Sequence, residues 1–137
     1  MRFSQEIDQH HFYIHAIETN SVEIAVPNPR AYEVVNIDGH VVTSRSFVIS
    51  PRSLQMDWEV SKTQALTQQI INSLGDLTTF EVLIIGTGDS VFFPKAEILK
   101  PIIELGIGYE IMKSDAACRT YNILCGEGRQ VMAAIML

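Results

Sequence analysis

Basic residues are scarce in this chain, cysteines are scarcer still, and a long apolar run is missing altogether. Its 137 residues carry 10 Lys and Arg against 16 Asp and Glu, a formal net charge of −6 at pH 7. Nucleic acid and anionic membrane surfaces both want a basic face, and the cations scattered from Arg2 to Arg129 form no run, so no nucleic-acid partner is expected. The longest apolar run, Val131 to Leu137, has seven residues. A membrane span takes roughly 20, so no span is expected either, and the run suits a buried strand. The opening stretch Met1-Arg2-Phe3-Ser4-Gln5-Glu6 lacks the apolar segment of a signal peptide and is too acidic for a mitochondrial presequence. The expected location is the cytoplasm.

Two cysteines, Cys118 and Cys125, fall on one expected helix, seven residues apart. That spacing separates them by about 10.5 Å along the axis. A disulfide needs Cα atoms within about 7 Å, so two free thiols in a reducing compartment are expected. The four histidines are His10, His11, His15 and His40. His11 and His15 share a strand face but lie about 13 Å apart at 3.3 Å per residue, too far to share a metal. With no Cys-x-x-Cys and no His-Glu pair, neither a metal site nor a cofactor is expected.

What is present reads as one α/β domain over residues 1–137. The length suits a single domain, and a 47% hydrophobic content supplies a core without metal or disulfide. The first third reads as β. Phe12, Ile14 and Ala16 alternate, as do Val22, Ile24 and Val26, with Thr19-Asn20 as a hairpin turn between them. Short strands are expected at 33–37, 40–43 and 47–50, the last ended by Pro51, making an antiparallel meander. Trp58 is read as core, with a place at a pocket rim as the alternative. Ser61 and Gln64 have the spacing of a capping box, and Leu66, Ile70 and Leu74 form one helical stripe before Gly75. A strand follows at 82–85, apolar on both faces. Pro94 is placed in the first turn of a helix that buries Leu99, Ile102, Ile103 and Leu105 and ends at Gly106. The next strand covers 107–112. Ser114 or Asp115 caps a helix reaching about Cys125, and a final strand covers 131–135. Strands buried on both faces and separated by helices imply a helix-covered sheet, with parallel pairing of the strands at 82 and 107.

In such a sheet, ligands bind outside the carboxyl ends of parallel strands. Two loops leave these ends: Gly86-Thr87-Gly88-Asp89-Ser90, and Lys113-Ser114-Asp115, which opens into Ala116-Ala117-Cys118-Arg119-Thr120-Tyr121-Asn122. Together they offer glycine-loop amides, a helix N-terminus and the charge of Arg119, the ingredients of an anion site. The candidate ligand-binding residues are therefore Gly86, Thr87, Gly88, Asp115, Cys118 and Arg119. In the alternative, the glycines only turn the chain and Arg119 pairs with an acid. The loop is no dinucleotide fingerprint, since Val91 stands where the third glycine belongs, and no Gly-Lys-Ser/Thr follows to make a P-loop. Cys118 sits in a first helical turn beside Arg119, which favours thiolate, while Asp115 opposes it. With no histidine nearby in sequence to act as base, a buried and inert cysteine is the other reading. No catalytic residue is assigned.

Ile85-Gly86-Thr87-Gly88, Phe93-Pro94, Leu105-Gly106-Ile107-Gly108, Glu110-Ile111-Met112, Ala116 through Asn122 and Glu127-Gly128-Arg129 together resemble a small family. It comprises uncharacterised bacterial and archaeal proteins, a vertebrate adipogenesis-associated protein, and mitochondrial NADH dehydrogenase complex I assembly factor 3. The resemblance spans about positions 30 to 137, and Ala-Cys-Arg-Thr-Tyr-Asn is its most telling stretch. It implies a three-layer α/β fold whose central mixed sheet has one antiparallel strand, with a further N-terminal β element packed beside it. It supplies no catalytic residue. A bacterial-type member is expected, since a presequence is lacking.

Two functions follow as expectations. One is a non-enzymatic binding or assembly-type protein whose partner is another protein. The alternative is an enzyme or sensor for a small anionic ligand at the crevice of Gly86–Gly88 and Cys118-Arg119.

Overall fold

A computed structural model of the chain describes residues 2–3, 10–60 and 66–137. The Ser61/Gln64 capping box lies outside these residues. Among these residues the strands form two sheets. The smaller has the order β1 (Tyr13–Ile17), β2 (Val22–Ala25), β3 (Val41–Thr43), all antiparallel. Thr19 and Asn20 form the tip of the first hairpin, closed by Glu18 N–H donating to Ser21 O at 2.8 Å.

The larger sheet adds β4 (Phe47–Ser50), β5 (Ser53–Gln55), β6 (Val82–Gly86), β7 (Gly108–Met112) and β8 (Val131–Ile135), in the order β5-β4-β8-β6-β7. β6 runs parallel to both β7 and β8, whereas β4 is antiparallel to β8 and β5. The sheet is thus mixed, with β4 alone reversed, and the strands at 82 and 107 are parallel neighbours as the sequence implies. Among the described residues three α-helices accompany the sheets: α1 (Gln68–Asn72), α2 (Ala96–Leu105) and α3 (Ser114–Gly126).

Alternation along the central strands divides the core in two. Ile84, Ala133, Ile135, Phe47 and Ile49 face one side, where α3 and the small sheet cover them. Leu83, Ile85, Met132, Ala134 and Val48 face the other, against Trp58, α1 and α2. The crossovers β6-α2-β7 and β7-α3-β8 proceed across the sheet in opposite directions. Right-handed crossovers then put their helices on opposite faces, which is where α2 and α3 pack. The layers are α1 and α2, the five-stranded sheet, and α3 beside the small sheet.

Several sequence expectations need correction. Residues 33–37 form no strand, and Val34 and Ile37 are exposed. Asn36 Oδ1 accepts the amides of Asp38 and His40 at 3.0 and 2.9 Å, and this side-chain turn draws the backbone away from any ladder. β4 leaves the expected meander for the large sheet, and β5 was not anticipated. α2 starts at Ala96 with Lys95 as its N-cap, so Pro94 precedes the helix rather than sitting in its first turn. α2 buries Leu99 and Ile102, but Ile103 and Leu105 are exposed. Pro101 lies inside α2 and has no N–H for the carbonyl of Glu97; Gln68 Nε2 donates to that oxygen instead, at 2.8 Å. Lys113, not Ser114 or Asp115, is the N-cap of α3.

Candidate functional site

Three parallel strands end on the same edge of the large sheet, and hydrogen bonds lace their ends together. Ser114, the first residue of α3, is the hub. Its hydroxyl accepts from Gly88 N–H at 2.8 Å and donates to Met136 O at 2.6 Å, while its own amide donates to Gly88 O at 2.9 Å. Met136 N–H donates to Gly86 O and Thr87 N–H to Met112 O, both at 2.9 Å. Gly86 allows this closeness, since a Cβ there would stand 2.9 Å from Ser114 Oγ and 3.0 Å from its Cα. Gly88 turns the chain with φ +89°, in the left-handed region that favours glycine.

Outside this lacing lies a cavity of about 540 Å³. Its wall comes from the loops after β6 and β7, from Met136 and Leu137 after β8, from Ser44, and from the β1–β2 turn at Ile17 to Asn20. A crevice at the carboxyl ends of parallel strands is the usual ligand position in open α/β sheets. Here the N-terminal hairpin closes one side of it.

Of the six candidate residues, Gly88 and Asp115 line this cavity; Gly86, Thr87, Cys118 and Arg119 do not. Thr87 is buried, with its hydroxyl directed to Ser90 O at 2.7 Å. Cys118 is fully buried in the core beneath the small sheet; burial pushes its thiol well above the usual range, and the Asp115 charge adds to this against the opposing Arg119. Arg119 lies at the surface, its guanidinium 4.0 Å from Asp115 Oδ2. The amides of Gly88, Ser114 and Ala116 all donate within the protein, the last to Asp115 Oδ1 at 2.7 Å. Glu18, Asp89 and Asp115 face the cavity against one cation, Lys113. This lining repels an anion more than it attracts one.

The Ala-Cys-Arg-Thr-Tyr-Asn stretch has a structural role that its spacing hides. Tyr121 Oη donates to Phe12 O at 2.8 Å. Asn122 holds both backbone groups of Ile14, accepting from its N–H at 2.9 Å and donating to its O at 2.8 Å. α3 thereby grips β1. The hairpin residues of the cavity wall escaped the sequence reading because the strand-end loops opposite them lie 68 to 98 positions away in the chain. Among the described residues, one trio of possible metal ligands lies together, His15, Glu23 and His40, and none of the three lines the cavity.

Fold and site together define a three-layer α/β protein with a hairpin-walled cavity at its parallel strand ends. The chain belongs to the family described as protein of unknown function (DUF498/DUF598), which matches residues 31–136. It is 41% identical over 59 residues to the "13 kDa major membrane protein" of Francisella tularensis subsp. holarctica (strain LVS), covering 43% of this chain and 48% of that one. Over 125 residues it is 28% identical to NADH dehydrogenase (ubiquinone) 1 alpha subcomplex assembly factor 3 of Homo sapiens, covering 82% and 66%. The chain thus spans about half to two thirds of these relatives' lengths. A crystal structure of a Bordetella parapertussis protein superposes with a TM-score of 0.75 at 25% identity, covering 95% of this chain and 98% of that one. No helix among the described residues is long and apolar enough to cross a membrane.

Proposed function

We propose that this chain is a non-enzymatic, assembly-type protein that holds another protein. The observation that carries the reading is its likeness to complex I assembly factor 3 over 82% of its length. Two structural features support it. Val91, Phe92 and Phe93 are exposed in succession on the loop that follows β6, with Phe93 75% exposed. β7 is a sheet edge, paired with β6 on one side and with no strand on the other among the described residues. Apolar side chains on a loop and an open strand edge are both features that protein partners use. The one thiol at the start of α3 that could have served as a nucleophile is buried in the core.

Pull-down from the source cells with the wild-type chain and with Phe92→Ser/Phe93→Ser tests this reading. A stoichiometric protein partner retained by the first and lost by the second, at unchanged melting temperature, is expected. Equal recovery by both would remove the loop from the interface. A second reading, a small-ligand sensor, is favoured by the cavity, with Asp115 and Gly88 in its wall. Its acidic lining suits a cationic or neutral polar ligand better than the anion expected at Cys118-Arg119. A tight small molecule seen by native mass spectrometry, and lost in Asp115→Asn, would favour that reading over the first.

A further inference from the structure

The outer face of the small sheet carries a cluster that neither the cavity nor the assembly reading uses. Alternation puts Glu23 of β2 on the side away from the core, between buried Val22 and Ile24. The ladder has an irregularity between Ile14 and Ala16, and His15 at that point comes beside Glu23, with Nε2 3.9 Å from Glu23 Oε2. His40, immediately before β3, brings Nδ1 to 3.5 Å from Glu23 Oε1. The two imidazole rings lie side by side with centroids 4.3 Å apart and planes tilted by 46°. One donor atom from each of the three lies within 4.8 Å of the others.

Two further observations turn this proximity into a site. His40 Nδ1 is buried, and its contact with Glu23 Oε1, at 3.5 Å, is longer than a full hydrogen bond. An imidazole nitrogen held that loosely can give its lone pair to a metal ion. The acid is also held in place: Asn36 Nδ2 donates to Glu23 Oε1, while Asn36 Oδ1 takes the amides of Asp38 and His40. One tight turn therefore positions both His40 and the group that orients Glu23. Such outer-shell support is typical of metal-binding carboxylates. Arg2 Nη1 donates to the other oxygen, Oε2, at 3.1 Å from an exposed side chain. It leaves Oε1 facing His40.

We propose that His15, Glu23 and His40 bind one divalent transition-metal ion of the borderline class that imidazole favours. Two imidazoles and one carboxylate, with bonds of about 2.0–2.2 Å, supply three ligands of a tetrahedral zinc site, and water takes the fourth position. The donors stand somewhat wider than the ~3.3 Å such a tetrahedron needs. Small side-chain rotations of His15 and His40, with exposures of 28% and 13%, would close that gap. No short motif announces this set, because each ligand comes from a different strand or turn.

Titration of the wild-type chain with zinc(II), followed by calorimetry and by the imidazole nitrogen signals in NMR, tests the proposal. One ion per chain is expected, with the resonances of His15 and His40 shifting together while His10 and His11 stay in place. Cobalt(II) should give the visible bands of a tetrahedral ion. His40→Ala and Glu23→Gln should each weaken binding by roughly tenfold or more, while His10→Ala/His11→Ala should leave it unchanged. The NMR result is read on the unaltered protein, so it stands even where a variant fails to fold. Absence of binding at millimolar zinc(II), or shifts confined to His10 and His11, would overturn the site.

Discussion

Cys118 and Arg119 are adjacent in sequence yet live in different physical worlds. The thiol is sealed in the core under the small sheet, where a thiolate would be stripped of water, so its pKa is driven upward by burial. The guanidinium stands at the surface opposite Asp115, with both side chains nearly half exposed (44% and 47%). Solvent screens a pair of that kind, and its worth is about 0–1 kcal/mol. Arg119→Ala should therefore shift a urea midpoint only slightly. Leu83→Ala empties a fully buried position between β7 and β8 and should cost ~2–5 kcal/mol. Comparable losses for the two variants would mean that Arg119 is structural after all. Cys118 should resist alkylation in the native chain at mildly alkaline pH and react once the chain is unfolded. Rapid native labelling would show that α3 opens far more readily than its packing indicates. The sequence carried the dipole argument for a reactive Cys118 but not the depth of the residue. Depth is decided by β1, which the chain lays over α3 from more than 100 positions away.

At the scale of elements, what was legible followed the strength of the local pattern. Apolar runs bounded by glycine marked β6 and β8, and Gly106 in the left-handed conformation ends α2 as its place in the sequence implies. The errors arose where tertiary hydrogen bonds outrank local preference. Asn36 captures two amides and abolishes a strand, Gln68 supplies the donor that Pro101 lacks, and the Ser114 hydroxyl leaves its helix cap to bind Gly88 and Met136. β8 is the element on which the sheet depends, since it joins β4 to β6 and all five of its residues are buried. Truncation after Gly128 exposes both neighbouring strand edges and discards large buried side chains at roughly 1.5–3 kcal/mol each. That loss is of the order of a whole domain's stability, about 5–15 kcal/mol. Expression of the truncated chain should give insoluble or non-cooperatively melting material. A soluble product with a sharp thermal transition would show that β4 can pair with β6 directly.

At the scale of the whole molecule, the chain is a five-stranded sheet with a second, smaller sheet fastened to one side. The edge of the large sheet where a crevice forms was legible from the order of strands and helices. The residues that close the crevice were not, because its far wall is the tip of the β1–β2 hairpin. The hairpin's position rests on the grip of Tyr121 and Asn122 on Phe12 and Ile14. Removing Asn122 leaves two buried backbone groups without their partners, at about 1–3 kcal/mol for each. The large sheet loses no ladder bond in that change. The cost should therefore fall on the small sheet as local opening, not on the molecule as one unit. Amide exchange of Asn122→Ala/Tyr121→Phe should show protection falling first at Ile14, Val22 and Ile24, with Leu83, Ile84 and Met132 still close to wild-type. The cavity should lose its hairpin wall in the same step, so that any ligand or partner seated there binds more weakly although the main core is intact. A uniform fall in protection across both sheets would instead show that they form a single cooperative unit, with α3 as the shared core of both and not a clasp between them.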